Sequence, residues 1–411
     1  MRILIAAAGS RGDIAPYTGL GAELRRAGYA VALAAADPFA PLVRAAGLEF
    51  RSLPADTKAR PGIGTGPGTA PDRRELMRTA AAFVTELGQG FADAVDGGAD
   101  LLLLSATTAP LGWHLAEATG IPSLGVHLQP TAPTGDFPPT VPGVRPLGRF
   151  GNRMTGRLAL RVADRLYDPA VTQLRRRLGL PPCSAAAMRR RQERANRPVL
   201  YGFSTALVRR PADWRPGLEI AGTWWPHVDA DDRLPPEVED FLRSGPPPVL
   251  VGFGSMASGE GERLSDLAVR ALRRAGLRGI LQAGAAGLAA EGDDVLTVGD
   301  LPHALLFPRL AAVVHHAGAG TSAAALRAGV PAVTVPVTAD QPFWAGRLAA
   351  IGAAADPIPF RSLTAEALAE SLRRIVHRPA YARAAAGAAE HMAGEDGAGR
   401  VLLAVRQLTD G

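Results

Sequence analysis

Val313-Val-His-His-Ala-Gly-Ala-Gly-Thr-Ser322, running on through Val330-Pro-Ala-Val-Thr-Val-Pro336 to Asp340-Gln341, organises the chain. Ala311 to Val314 is an uninterrupted apolar run, the mark of a parallel strand covered on both faces. Two histidines and a Gly-Ala-Gly turn follow, then helix-forming residues from Ser322 to Ala328, then a second apolar run from Ala332 to Val335. The order is strand, turn, helix, strand. The helix start carries no bulky side chain, so its free N–H groups and positive dipole end are open to an anion such as phosphate. The stretch is expected to hold a nucleoside diphosphate, with Asp340 and Gln341 on the attached sugar. Neighbouring residues on a strand point to opposite faces. His315 is therefore expected inside, in a structural role, and His316 at the ligand.

The same pattern occurs earlier in the chain. Arg2 to Ala8 is a predicted strand, Gly9-Ser-Arg-Gly-Asp13 a loop, Tyr17 to Ala27 a helix stopped at Gly28, and Tyr29 to Ala35 a strand. Further strands are predicted at Leu48 to Leu53, Leu101 to Leu104, Ser123 to His127 and Val199 to Ser204. Pro211 to Pro248 is rich in proline and acidic residues and is expected to be a linker. The pattern restarts with a strand at Val249 to Phe253 and ends with a helix at Gly399 to Leu408. Two α/β halves in tandem, each a doubly wound parallel sheet, imply a ligand in the cleft between them. Asp56 to Arg73, with four glycines and three prolines, is expected to be a mobile loop.

Composition narrows the function. The chain has 411 residues, 47% of them hydrophobic and 20% charged, as in an ordinary soluble protein of two domains. The net charge of +6 comes almost wholly from arginine, since Lys58 is the only lysine. That excess favours an anionic ligand or an anionic membrane surface. Five tyrosines and twelve phenylalanines, not interleaved with basic residues, argue against nucleic acid. The single cysteine, Cys183, excludes an intrachain disulfide and fits a reducing cytoplasm. No apolar run reaches the ~20 residues of a spanning helix. A dinucleotide-type Gly-x-Gly-x-x-Gly is absent after the first strand, and so is a phosphate-binding loop with its lysine, which disfavours hydride and phosphoryl transfer. No histidine and cysteine cluster suggests a metal.

Arg149, Arg153, Arg157, Arg161 and Arg165 recur every fourth residue, a slanted stripe on a helix. Two readings stay open for it: a solvated face beside a core face, and a peripheral contact with anionic lipid on the inner face of the membrane.

His316-Ala-Gly-Ala-Gly-Thr321, followed by Gly329-Val-Pro331 and Asp340-Gln341, resembles the donor-binding signature of family 1 nucleotide-sugar glycosyltransferases. Gly9-Ser-Arg-Gly-Asp13 is similar to the opening loop of sterol 3β-glucosyltransferases and of vancomycin-group antibiotic glycosyltransferases. Tyr201-Gly-Phe-Ser204, Arg210-Pro-Ala-Asp-Trp214, Gly222-Thr-Trp-Trp225, Gly252-Phe-Gly-Ser-Met256 and Pro302-His303 with Leu306-Phe-Pro-Arg309 resemble the sterol branch most. The resemblance implies a GT-B fold, two Rossmann-like domains facing across a cleft. Residues 1–208 would bind the acceptor, 209–246 link, 247–390 bind the donor, and 391–411 return a helix to the first domain. Ala324 stands where plant members carry a ribose-gripping Glu, and the first loop offers Asp13 where they use a His.

The implied chemistry is inverting transfer of a hexose from a UDP- or dTDP-sugar to a hydroxyl of an apolar acceptor. No cofactor or metal is required. The alternatives are a nucleotide-sugar epimerase or hydrolase, and a non-catalytic nucleotide-sugar or lipid binder. Asp13 is the expected base, beside Ser10 and Gly12; its other reading is a helix cap. His316, Gly318, Ala319, Gly320, Thr321 and Ser255 are expected on the diphosphate, and Val298 and His303 along the base. Asp340 and Gln341 suit a hydroxyl-rich hexose such as glucose better than a deoxysugar, because an unused buried carboxylate is costly. Trp113, His114, His127, Asp136 and Phe137 are expected around the acceptor, a sterol or polyketide. A monomer or homodimer is expected.

Overall fold

The computed structural model describes residues 1–54, 73–141, 143–229, 231–254 and 259–409. The 56–73 loop, but for its last residue, and Ser255 lie outside the described residues.

Two parallel sheets carry the molecule. The first holds seven strands: β1 Arg2–Ala6, β2 Ala30–Ala36, β3 Glu49–Leu53, β4 Leu101–Leu104, β5 Ser123–His127, β6 Val199–Tyr201 and β7 Leu218–Ile220, in the order β3-β2-β1-β4-β5-β6-β7. The second holds β8 Val249–Gly252, β9 Gly279–Gln282, β10 Val295–Val298, β11 Ala312–His315 and β12 Ala332–Thr334, in the order β10-β9-β8-β11-β12. The second sheet thus repeats the winding of the first five strands of the first.

Strand alternation builds a core on each face of each sheet. Ile3, Ile5, Leu33 and Leu103 pack together on one side of the first sheet, while Leu4, Ala6, Leu102 and Leu104 pack on the other. Val249, Val251 and Val314 oppose Leu250, Ile280 and Val313 in the second. Each such Val, Leu or Ile contributes about 1.5–3 kcal/mol on burial.

In a sheet wound this way, ligands sit at the carboxyl ends of the strands where the winding reverses. That point falls between β1 and β4 in the first sheet, and between β8 and β11 in the second. It selects the turns after Ala6 and after His315.

Three parts differ from the sequence expectation. The first helix starts at Arg11, not Tyr17, and spans Arg11–Arg26, so the Gly9 to Asp13 loop supplies its first turn. The 209–246 segment gives its ends to the two cores. Leu218 and Ile220 form β7, while Val238 and Leu242 of helix Pro236–Arg243 pack with Leu250, Ile280 and Phe307. A helix at Pro379–Ala393, whose alanine-rich sequence has little amphipathic contrast, was not foreseen.

The last helix, Gly397–Thr409, returns to the first half, where Val401 and Val405 are fully buried with Ile3, Ile5 and Leu24. Trp224 Nε1 donates to the Gly397 carbonyl at 3.0 Å. A Cβ on Gly397 would lie 2.7 Å from the Gly222 carbonyl oxygen, so the two crossings between the halves run backbone against backbone. A further apolar cluster spans the halves, with Phe137, Tyr201 and Trp214 from one and Leu326, Trp344 and Met392 from the other.

Candidate active site

The turn after β11 separates the two histidines. His315 is buried, and its Nδ1 accepts the Ala317 N–H at 3.1 Å. Burial, reinforced by His316 and His303, lowers its pKa to about 3. The His316 ring lies between two glycines: a Cβ on Gly254 would come within 2.9 Å of it, and one on Gly318 within 2.6 Å of Nε2. Its Nδ1 is buried with no partner among the described residues. Burial first, then His303, lowers the His316 pKa to about 4, so at neutral pH this histidine offers an N–H and no charge. His303 is likewise lowered to about 4 by burial, and stacks on Phe307 at 4.2 Å.

Gly318 caps helix Ala319–Arg327, whose first turn contains Ala319, Gly320 and Thr321. No side chain caps this helix, leaving its leading N–H groups to other partners. Val298 buries its side chain and gives its carbonyl to Ala283 N–H at 2.9 Å. The exposed backbone beside it is Gly299 and Asp300.

Backbone strain concentrates here. Of three non-glycine residues in the left-handed region among the described residues, Ala317 (φ 63°) lies in this turn and Ala339 (φ 55°) immediately precedes Asp340. Such conformations cost about 1–3 kcal/mol each and persist where the surroundings impose them.

Asp340 precedes helix Gln341–Ala350, and its Oδ2 accepts from Trp344 Nε1 at 2.7 Å. Burial raises its pKa, and the negative charge of Asp13 adds to this against hydrogen bonds from Trp344 and Gln129. Gln341 is buried, and its Oε1 accepts the N–H groups of Val337 and Thr338 at 2.8 and 3.0 Å.

On the opposite half, Asp13 occupies the first turn of helix Arg11–Arg26. Its Oδ2 accepts both the N–H and the hydroxyl of Ser10, each at 2.8 Å. A Cβ on Gly9 (φ 141°) would lie 2.5 Å from that oxygen, so a side chain there would push Asp13 away. Asp13 Oδ1 accepts from Gln129 Nε2 at 3.4 Å. Gln129 also lies near enough to Asp340 to favour its charged form. Arg11 meets Asp300 across the cleft at 3.2 Å, in an exposed pair worth about 0–1 kcal/mol.

The residues expected around the acceptor do not converge. His114 is fully buried, and its Nδ1 accepts from Arg175 at 2.7 Å. Its pKa is lowered to about 4 by burial and then by Arg175. Trp113 packs against the helical layer behind the first sheet. His127 is buried at the end of β5, with Nδ1 3.1 Å from the Thr131 hydroxyl and its pKa lowered to about 4 by burial. Asp136 pairs with Arg149. Phe137 sits in the cluster between the halves, 5.3 Å from Phe343, with the Arg347 guanidinium 5.1 Å from its ring.

Gln129 and Trp344 were missed. Gln129 had a signal, as a polar residue just past a strand's carboxyl end in an apolar, proline-rich stretch. Among the described residues no group of three His, Cys, Asp or Glu side chains is arranged to hold a metal ion.

Residues 3–135 match the glycosyltransferase family 28 N-terminal domain, and residues 280–406 the C-terminal domain of proteins like erythromycin biosynthesis protein CIII. O-mycaminosyltylonolide 6-deoxyallosyltransferase of Streptomyces fradiae is 38% identical, over 99% of this chain and 97% of its own. The chain belongs to the GT-B glycosyltransferases. A sterol 3-beta-glucosyltransferase of Arabidopsis thaliana is 31% identical over 90% of this glycosyltransferase, which spans 60% of the plant protein. The crystal structure of the kitacinnamycin glycosyltransferase shares its fold, with a TM-score of 0.72 at 20% identity over 99% of this chain and 98% of that one. So does the glycosyltransferase VinC in complex with dTDP, with a TM-score of 0.69 at 20% identity over the whole of both chains.

Proposed function

We propose that this glycosyltransferase moves a hexosyl group, with inversion, from a UDP- or dTDP-sugar to a hydroxyl of an apolar acceptor of sterol or polyketide type. One observation carries the proposal. Asp13 with Gln129 on the first half faces Asp340 on the second closely enough for the two carboxylates to influence each other. A general base and a sugar-gripping carboxylate are needed side by side, on opposite walls.

Asp13 takes the acceptor proton, a role worth about 10²–10⁴ in rate. Ser10, through its N–H and hydroxyl, fixes the carboxylate with one oxygen engaged. The His316 N–H and the open start of helix Ala319–Arg327 receive the diphosphate and stabilise the charge that develops on it as it leaves. Asp340 and the Gln341 amide hold sugar hydroxyls. The expected preference for glucose weakens on this geometry. Trp344 already satisfies one Asp340 oxygen and the backbone satisfies the Gln341 carbonyl, so a deoxysugar strands fewer polar atoms. A 6-deoxyhexose fits as well as glucose, in keeping with the sugar named for the Streptomyces relative.

The test is a donor-by-acceptor panel read by mass spectrometry: UDP-glucose, dTDP-glucose and a dTDP-6-deoxyhexose against a sterol and a macrolide aglycone, each with and without chelator. Glycosylated acceptor, unaffected by chelator, is the expected product. Donor converted without a glycosylated acceptor would replace transfer by hydrolysis or epimerisation.

A further inference from the structure

Helix Gly148–Arg177 turns an unusual face to solvent. Phe150 is 79% exposed, and Met154, Leu158 and Val162 are 42%, 57% and 47% exposed. These four recur every fourth residue, with the 62% exposed Leu147 just before them. Arg157, Arg161 and Arg165 are exposed among them. At ~100° per residue, all seven helical positions fall within about 140° of the circumference. Asn152, Gly156 and Tyr167, on the far side, are buried.

The five-arginine stripe divides on this helix. Arg149 and Arg153 are taken up by Asp136 and Asp213. Arg157, Arg161 and Arg165 have no ion-pair partner among the described residues. A solvated face has no use for an exposed phenylalanine and three aliphatic side chains in one row. Single exposed apolar residues are ordinary, but a contiguous row marks a contact. Arginine, methionine and phenylalanine are also common at protein interfaces, but three arginines with no ion-pair partner would need a protein that brings matched carboxylates to each, whereas an anionic bilayer offers phosphates along the whole row. An anionic bilayer suits both parts. Apolar side chains enter the boundary between headgroups and acyl chains, while arginines extend along their own stems to lipid phosphates.

We propose that this face seats the enzyme peripherally on an anionic lipid surface. No helix among the described residues is long and apolar enough to cross a membrane, so the contact is one of lying on the surface. The helix follows directly on the segment that carries Asp136 and Phe137, so the seat belongs to the first half. It stands on the helix alone, whether or not the chemistry assigned to the cleft holds.

Co-sedimentation of the full chain tests it, with vesicles of phosphatidylcholine alone and of phosphatidylcholine with about one-third phosphatidylglycerol. Binding to the mixed vesicles is expected, weakened by salt. It should fall about tenfold on neutral vesicles, about tenfold for F150S/L158S, and about tenfold for R157E/R161E, since apolar burial and charge both contribute. Both double variants change exposed residues and should melt with the native protein and bind UDP or dTDP with native affinity. Failure of the native protein to bind mixed vesicles would overturn the proposal, as would binding that survives either variant. So would a change of oligomeric state in F150S/L158S, which would assign the face to a second copy. Binding to polyglutamate as tight as to mixed vesicles would assign it to an acidic protein, again overturning the proposal.

Discussion

Gly318→Ala isolates the contribution of one imidazole. Gly318 has φ −62° and ψ 144°, a conformation alanine adopts freely, so the substitution strains no backbone. Its effect is steric. The new Cβ would stand 2.6 Å from His316 Nε2, and ordinary contact begins at 3.4 Å, so the ring must give way by about 0.8 Å. Retreat is obstructed because Gly254 closes the other side of the ring. The imidazole therefore tilts away from the helix start. A hydrogen bond to a charged diphosphate is worth about 1.5–3 kcal/mol, so its loss should weaken UDP or dTDP binding about 10- to 100-fold. Crowding should also lower stability by about 1–3 kcal/mol. Titration calorimetry gives the first quantity and denaturant unfolding the second. His316→Ala supplies the decisive comparison, because the three atoms nearest the new Cβ all belong to His316. With the ring gone, Gly318→Ala should cost nothing more, and the double variant should bind like His316→Ala. Additive losses, or native affinity in Gly318→Ala, would refute the argument that the ring is held for the ligand by two missing side chains.

Other outcomes follow from the same geometry. Asp13→Asn keeps its shape but not its basicity, so kcat should fall at least about 100-fold with donor affinity near native; turnover within a few-fold of native would remove Asp13 as base. Gln129→Leu removes a hydrogen-bond donor from Asp13 and takes from Asp340 a donor that favours its charged form. Turnover should fall and the acidic limb of the kcat/KM profile should move to higher pH, whereas an unmoved profile would reduce Gln129 to packing. Acid should unfold the protein early. His114, His127, His303, His315 and His316 have folded pKa values of about 3 to 4, against about 6.5 unfolded. The unfolded chain thus binds the extra protons; stability is fully present above about pH 6.5 and is lost as pH falls toward 4. The limiting slope is about five protons, or roughly 7 kcal/mol per pH unit, and a measured slope below one proton would contradict neutral burial of these rings.

The strands of the two sheets were legible because they are buried on both faces and spell continuous apolar runs: Leu101 to Leu104 can hardly be anything else. Strand alternation does not by itself place His315 and His316, because β11 ends at His315 and the turn that follows, with Ala317 at φ 63°, sets His316. Legibility fails where tertiary contact decides. Gly12 and Pro16 argue against helix, yet Asp13 closes the first turn onto Ser10 and the helix begins at Arg11. Leu218-Glu-Ile220 is too short, and too hemmed by prolines, to show a period, and only its neighbour β6 makes it a strand. His114 lies ten residues past the end of β4, within helix Ala109–Thr119, and helical phase turns it inward onto Arg175. Gln129 stood out in the sequence only as a polar residue past a strand; its partner Asp13, more than a hundred residues away, is set beside it by the fold alone.

The returning helix ties folding to the order of synthesis. The second half is an insertion, begun after β7 and finished before the residues that complete the first core. Val401 and Val405 leave the ribosome after the whole second half, so an N-terminal core containing Ile3 and Leu24 waits for them with an uncovered groove. At ordinary rates of elongation the delay between Ile220 and Thr409 is roughly 10–40 s. During that interval the first half depends on whatever shields the groove, and a chain stopped before Gly397 would keep it open for good. Fluorescence of an apolar dye bound to residues 1–396, quenched when a peptide of 397–411 is added, would make that groove visible.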